Sequence, residues 1–366
     1  MLRVAVTVEQ SWHRVPGGTA WSVLELLRAL KAVAGIELIG VSARHSEPPP
    51  DPWSVPIPVR SMGLSRASLY ETWHLPIARF PKVEARIGGI DVVHATAIAY
   101  PATTAPVVAT VHDLAFLHDP SFATRHGLRF FRRGTALARE RARFVVCPSE
   151  TTRRECVAAG FAPERLRVIP WGVRVAAATT ADVAQAQLEL GLDRPYVLFC
   201  GTVEPRKNLP ALLDAFGRVA HHDALLVLAG PTGWNEDIAA ARAKLGDRVR
   251  VVGFQPRDKL DALIAGAAVV AYPSRQEGFG LPVLEAMAQG APVVTSRGTA
   301  TEEVAGDAAM LVDPGDAASI AAGLDAVLSD PVLAADLRAR GRARAESFTW
   351  EAAAASYAEL YREARS

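Results

Sequence analysis

The feature that most constrains this chain is a rhythm that starts twice. Short β-branched runs at Val4 to Val8, Ile36 to Val41, Asp91-Val-Val-His94 and Val107 to His112 read as strands, and a helical pattern runs from Ala20 to Val33 between the first two. After a polar, alanine-rich passage from Val175 to Arg194, the same rhythm resumes. Its second set of strands is Tyr196 to Cys200, Ala224 to Ala229, Val249 to Val252, Ala268 to Tyr272 and Pro292 to Thr295. Strands separated by helix-length stretches imply parallel pairing through helical crossovers. The expected class is therefore α/β, with two doubly wound, parallel-sheet, Rossmann-like domains. Pro170-Trp-Gly172 interrupts both periodicities and sets the boundary. Residues 1–172 then form a first domain and residues 173–347 a second. The tail, 348–366, carries a last helix from Trp350 to Arg365, whose Tyr357, Leu360 and Tyr361 recur at helical spacing and need an apolar surface to cover. The Pro-rich segment Glu47 to Pro58 reads as a surface loop.

A chain of 366 residues that is 50% hydrophobic and 22% charged has enough apolar material for large cores, which excludes overall disorder. It contains no run of about twenty apolar residues. Its first residues, Met1-Leu-Arg-Val-Ala-Val-Thr-Val, read as a strand rather than a signal peptide, so a cytoplasmic location is expected. Cys147, Cys156 and Cys200 lack metal-ligand spacing and read as reduced packing residues. The net charge of +1 conceals an asymmetry. Residues 1–175 hold 22 Lys/Arg against 14 Asp/Glu, about +8, and the remainder hold 18 against 25, about −7. Much of the excess lies between Arg125 and Arg143. That stretch reads either as a helix with a solvated basic face or as attraction to an anionic acceptor or the inner membrane surface. No recognition motif for nucleic acid accompanies it, so nucleic acid is not an expected partner.

In open parallel sheets, ligands bind beyond the carboxyl ends of the strands. The motifs fall there. After the strand ending at Tyr272 comes Glu277-Gly-Phe-Gly-Leu-Pro-Val-Leu-Glu285. Gly278 and Gly280 allow the backbone to approach a ligand, Pro282 suits a first helical turn, and the free amides of that helix start suit a phosphate. Glu285, expected inside the first turn, is placed to accept hydrogen bonds from ribose hydroxyls, while Glu277 lies on the loop before it. Glu285 also reads as a favourable charge on the helix dipole and Glu277 as a solvated loop residue. Gly201-Thr202-Val-Glu204-Pro-Arg206-Lys207-Asn208 follows another strand and offers two cations to a diphosphate, or forms a solvated basic turn. Pro16-Gly17-Gly18-Thr19 opens a helix and offers backbone donors. His112-Asp113 sits at a strand's carboxyl end, His94 reads as a site residue or a packed one, and Ser149 as an N-cap.

Together these motifs resemble the retaining glycosyltransferases of family four, with two Rossmann domains in the GT-B arrangement, and within that family the mannosyltransferase-B-like branch. The likeness also runs through Val168-Ile-Pro-Trp-Gly-Val173 and Leu228-Ala-Gly-Pro231, so it covers nearly the whole chain. It implies that Glu285 binds ribose and that Lys207 and Arg206 bind the diphosphate. Glu277, with the amides of Gly278, Phe279, Gly280 and Leu281, is expected at the donor sugar and phosphate. Gly17, Gly18, Gly201, Thr202 and Phe254 complete the expected donor set, and His112 is expected close to the transferred sugar. His112, Glu277 and Lys207 are the expected catalytic residues. The last helix is expected to pack on the first domain. Thr202 and Trp171 depart from many relatives, which carry Arg and Asn there.

The implied reaction moves a hexose, mannose from GDP-mannose above a UDP-linked sugar, to a glycan, lipid-linked or small-molecule acceptor. Configuration is retained by front-face substitution. No paired carboxylates stand out as a nucleophile and acid, and no Asp-x-Asp metal site is seen, so neither metal nor cofactor is expected. The nucleotide sugar is a co-substrate. A sugar-nucleotide epimerase or hydrolase on the same architecture is the alternative enzyme, and a non-catalytic nucleotide-binding module the alternative outside catalysis. The order of motifs along the chain argues against both.

Overall fold

The computed structural model describes residues 1–366 apart from 15, 76, 232 and 234–237, and describes only the backbone at 125 and 126. The chain divides into two compact units. The first comprises Met1–Phe116, Arg125–Gly172 and Thr349–Ser366, and the second Leu117–Thr124 and Val173–Phe348. Two pieces fall outside the expected partition: Phe348, and the Leu117–Thr124 segment, both of which group with the second unit. In the latter, the turn Pro120–Phe122 lies against the turn Pro205–Lys207. A segment with neither strand nor helix periodicity carries no local signal of which core it joins.

The first unit is built on a seven-stranded sheet: β1 Leu2–Thr7, β2 Ile36–Ser42, β3 Val59–Ser61, β4 Val92–Ala95, β5 Val107–Thr110, β6 Phe144–Cys147 and β7 Leu166–Val168. Its order is β3-β2-β1-β4-β5-β6-β7, with every pair parallel. The second unit has six strands: β8 Tyr196–Cys200, β9 Leu225–Ala229, β10 Val249–Gly253, β11 Val269–Tyr272, β12 Val293–Ser296 and β13 Met310–Val312. Their order, β10-β9-β8-β11-β12-β13, repeats the same winding, again all parallel. Central strands are buried on both faces, which is why β8 reads Tyr-Val-Leu-Phe-Cys without polar alternation. In each sheet the chain reverses its direction of winding beside the first strand, between β1 and β4 and between β8 and β11. Those are the switch points where such sheets leave a crevice at their carboxyl ends.

The sequence missed β3, β6, β7 and β13, each only three or four residues long and too short to show a period. The passage Val175 to Arg194 contains a helix, Thr180–Leu190, opened by a reciprocal Thr179–Asp182 capping box.

The final helix, Trp350–Arg365, packs on the first unit's core as expected. Tyr357, Leu360 and Tyr361 join Val23, Leu27 and Leu30 of the helix Gly17–Leu30 and the apolar face of β1 in one cluster. Gly172 makes the turn into this region possible, because a Cβ there would stand 2.2 Å from the Trp350 backbone nitrogen. Among the described residues no single helix is long and apolar enough to cross a membrane.

Candidate functional site

The second unit gathers its charged residues at the switch point. Arg206 and Lys207 lie on a short turn after β8, and Glu277 lies on the loop after the neighbouring strand β11. Lys207 Nζ donates to Glu277 Oε1 at 2.6 Å and Arg206 Nη1 to Glu277 Oε2 at 2.7 Å. Arg206 also pairs with Glu204 at 2.8 Å. Lys207 Nζ further donates to the Tyr272 hydroxyl and lies 4.7 Å from the centre of that ring. Glu204, Lys207 and Glu277 are all buried. Two cations thus face two carboxylates in a low-dielectric setting, where an unpaired charge is costly.

Burial by itself would raise the Glu277 carboxyl, but Arg206 and Lys207 outweigh it and hold the group at about 2. Burial and the neighbouring Arg206 lower Lys207 from its ordinary value, and Glu277 opposes them. The loop that carries Glu277 is anchored to the cation turn: the Arg275 amide donates to the Arg206 carbonyl at 2.8 Å, and Arg275 Nε to Asn208 Oδ1 at 3.0 Å. Asn208 in turn donates to the Pro273 carbonyl at 3.0 Å.

Gly280 then starts the helix Leu281–Ala288. Its φ of 102° lies in the left-handed region, and a Cβ would meet the Thr301 methyl at 2.7 Å, so only glycine fits. Because the helix begins at Leu281, Glu285 is its fifth residue and lies in the second turn rather than the first. It is buried and ion-paired with Arg257 of the helix Arg257–Ala265. Arg257 also holds Asp261, with Nη2 to Oδ1 at 2.9 Å. Burial disfavours the Arg257 charge, yet Glu285 and Asp261 prevail and raise its guanidinium. The sequence reading omitted Arg257, Glu204 and Tyr272. Only Glu204 carried a local signal, through its place in the Gly201 to Asn208 turn. The other two reach the site by tertiary packing.

Of the remaining expected donor residues, Gly201 and Thr202 sit at the carboxyl end of β8, and Gly278, Phe279 and Leu281 are buried beside Glu277 in sequence. Phe254 follows the edge strand β10 and is 57% exposed. Among the described residues no hydrogen bond or ring contact joins it to the cluster.

The first unit holds Gly17, Gly18 and His112. A Cβ at Gly18 meets nothing within 4 Å and its φ is not positive, so neither packing nor backbone geometry demands glycine there. An open backbone at a helix start suits close approach by a ligand. His112 follows β5 and bonds through Nε2 to the Thr96 carbonyl at 2.6 Å. A carbonyl only accepts, so that nitrogen carries the proton, and Nδ1 is a buried acceptor with no partner among the described residues. Burial lowers the imidazole from its ordinary value, against the Thr96 bond and Asp113. Thr96 is itself fixed by Gln10, Nε2 to Oγ1 at 2.8 Å. His94 is structural: it bonds Thr110 at 2.8 Å and Tyr361 at 2.7 Å, with burial and then His112 pushing it down to about 3. Ser149 caps the helix Glu150–Ala158 by accepting from the Thr152 amide at 3.0 Å.

Residues 16–177 match the family model described as Glycosyltransferase Family 4, and residues 181–344 the model described as Glycosyl transferases group 1. The chain is 30% identical over 256 residues to the O-antigen chain mannosyltransferase B of Escherichia coli, covering 67% of each. It is 33% identical over 228 residues to a D-inositol 3-phosphate glycosyltransferase of Acidothermus cellulolyticus, where the match spans 57% of this chain and 51% of that one. Among solved structures, Anabaena HepE in complex with UDP and glucose superposes with a TM-score of 0.78 over 99% of this chain and 100% of that chain, at 18% identity.

Proposed function

The chain belongs to glycosyltransferase family four, of GT-B fold, and is a nucleotide-sugar-dependent hexosyltransferase, and from that premise we propose that it transfers mannose from GDP-mannose, with retention, to a glycan or lipid-linked acceptor. The observation that carries the donor-side reading is the pairing of Glu277 with both Lys207 and Arg206 at the switch point of the second sheet. The likeness to the mannosyltransferase supports the choice of sugar.

We assign the roles from the charge balance. Glu204 and Glu277 match Arg206 and Lys207 one for one. A diphosphate adds further negative charge, so one carboxylate has to turn away from the cations when it binds. We assign that movement to Glu277, which then accepts from sugar hydroxyls while Lys207 and Arg206 take the phosphates. The amides at the start of the Leu281–Ala288 helix add to that field. Glu285, oriented by Arg257, accepts from the ribose. As the glycosidic bond breaks, charge grows on the leaving diphosphate, and the fixed cations stabilise that charge more than the ground state. On the first unit, His112 Nδ1 offers an acceptor to a substrate hydroxyl.

Among the described residues no three His, Cys, Asp or Glu side chains are gathered to hold a metal ion. The metal-independent reading rests instead on Lys207 and Arg206, which supply the positive charge that a departing diphosphate needs. A nucleotide-sugar donor also agrees with the cytoplasmic location expected from the sequence.

The test is a thermal-shift series with GDP, UDP, ADP and their sugar conjugates, followed by incubation with the stabilising donor and NMR of the product anomer. GDP-mannose is expected to give the largest shift and an axial, retained linkage. A larger shift with a UDP-sugar overturns the donor, inversion overturns the mechanism, and activity that chelator abolishes and Mn²⁺ restores overturns metal independence.

A further inference from the structure

A cavity of about 860 Å³ opens at the amino ends of β5 and β6, lined by the first residues of those strands, Val107 and Phe144. His112 lies past the other end of β5. A strand of four residues spans roughly 13 Å, so this cavity and His112 occupy opposite edges of the sheet. Five arginines line it: Arg79, Arg141, Arg143, Arg165 and Arg167. The three acids on its wall are Glu140, Glu164 and Glu363, which leaves an excess of two positive charges. Arg167 is the one arginine here with a carboxylate partner, Glu363 at 2.8 Å. Among the described residues none lies within ion-pair reach of Arg79, Arg141, Arg143 or Arg165. The C-terminal dipole of the Arg125–Arg141 helix accounts for cations at its last turn. It does not account for Arg79, which comes from another segment and is held over the Tyr100 ring at 5.3 Å.

Arg79 is flanked in sequence by Ile77 and Phe80, which are 82% and 51% exposed. Their Cα atoms lie at most roughly 8 Å from that of Arg79, since consecutive Cα atoms are about 3.8 Å apart. Large apolar side chains facing water within two residues of Arg79 match an amphiphile, whose phosphate neutralises the arginines while its hydrocarbon receives the apolar pair. A soluble anion would leave Ile77 and Phe80 in water.

We propose that this cavity is a second ligand site, separate from the donor site, which seats the phosphate headgroup of an acidic membrane lipid, with Ile77 and Phe80 entering the acyl boundary. Burial and the facing Arg141 charge lower the Arg79 guanidinium from its ordinary value, and a bound phosphate offsets the repulsion from Arg141. The seat adds an anchoring surface to the enzyme and is independent of which sugar is transferred.

Co-sedimentation of the full chain with vesicles tests this. Binding is expected to phosphatidylcholine vesicles containing phosphatidylglycerol, weakening with salt, and not to phosphatidylcholine alone. The exposed pair Arg141→Glu/Arg143→Glu should lower the partition coefficient roughly thirtyfold or more, taking about 1 kcal/mol per charge near an anionic surface. Ile77→Ser/Phe80→Ser should lower it as well, with nucleoside diphosphate affinity unchanged in both variants. Equal binding to neutral vesicles, or full binding by the charge-reversed chain, overturns the proposal. Glycerol 1-phosphate raising the melting midpoint while the chain stays off acidic vesicles also overturns the lipid assignment, because the site then serves a soluble anion.

Discussion

Lys207 Nζ lies 2.6 Å from Glu277 Oε1, which ties the turn after β8 to the loop after β11 across the point where the second sheet reverses its winding. Removing the cation strips positive charge from the site of the departing diphosphate. Lys207→Ala is expected to lower kcat by roughly 10²- to 10³-fold, the range for a lost transition-state electrostatic contact. Lys207→Arg should not restore it, because a planar guanidinium cannot take the place of a compact ammonium enclosed by Tyr272 and Glu277. Steady-state kinetics with saturating donor measure both, and a loss below tenfold in Lys207→Ala would remove Lys207 from the catalytic role.

The same pair fixes an acid limit. The Glu277 carboxyl is held at about 2 in the folded chain against 4.5 ordinarily, so its ionised form favours the native state. That contribution is complete above about pH 5 and is lost as the pH falls from there toward 2. The full shift corresponds to roughly 3 kcal/mol, taking about 1.4 kcal/mol per pH unit. Urea unfolding across pH 2 to 6 should therefore show a steeper acid slope in the native chain than in Glu277→Gln. Parallel slopes would show that Glu277 is not the group responsible.

Much of this site was legible in the sequence because its ligands are local to strand ends. Arg206 and Lys207 follow a five-residue apolar run, and Glu277 to Glu285 carries glycines whose spacing fixes a loop-to-helix junction. The cores of both sheets were legible for the same reason, since buried parallel strands announce themselves as apolar runs. What could not be read was pairing between distant segments. Arg257 meets Glu285 across 28 residues and looks in sequence like any charged helix start. Phe254, expected among the donor residues, stands exposed after an edge strand, and its sequence surroundings carry no signal of that exposure.

Arg257 converts that hidden contact into an expectation. It orients the Glu285 carboxylate and neutralises it in a buried place, so Arg257→Ala removes an ion-pair partner from a buried charge. Nucleoside diphosphate affinity should fall by roughly tenfold or more, the equivalent of about 1.4 kcal/mol. Calorimetric titration checks this. Arg257→Lys should recover part of the affinity, because it restores the charge without the bidentate hold on Asp261.

His112 is expected to act as a neutral group. Burial lowers its imidazole and Nε2 is committed to Thr96, so its only free function is acceptance at Nδ1. The profile of kcat/KM should show no inflection from this residue between pH 6 and 8. His112→Ala should lower kcat/KM by roughly three- to tenfold, the worth of one hydrogen bond. An inflection near the ordinary imidazole value that disappears in His112→Ala would instead make it a proton carrier.

The last helix is held by a polar contact as well as by its apolar face. Tyr361 and His94 Nδ1 are 2.7 Å apart with both residues buried, and His94 Nε2 is already engaged by Thr110. Tyr361→Phe preserves the ring and its packing but leaves Nδ1 without a partner and without water. An unsatisfied buried acceptor costs about 1 to 3 kcal/mol, more than the net worth of an exchanged bond. Unfolding in urea should show that loss with an unchanged slope, since the surface buried on folding is the same. Donor affinity should not change, because the contact joins Tyr361, His94 and Thr110 and includes none of the residues proposed to hold the donor. A drop in donor affinity without a drop in stability would mean that the helix acts on the donor site rather than on the fold of its own unit.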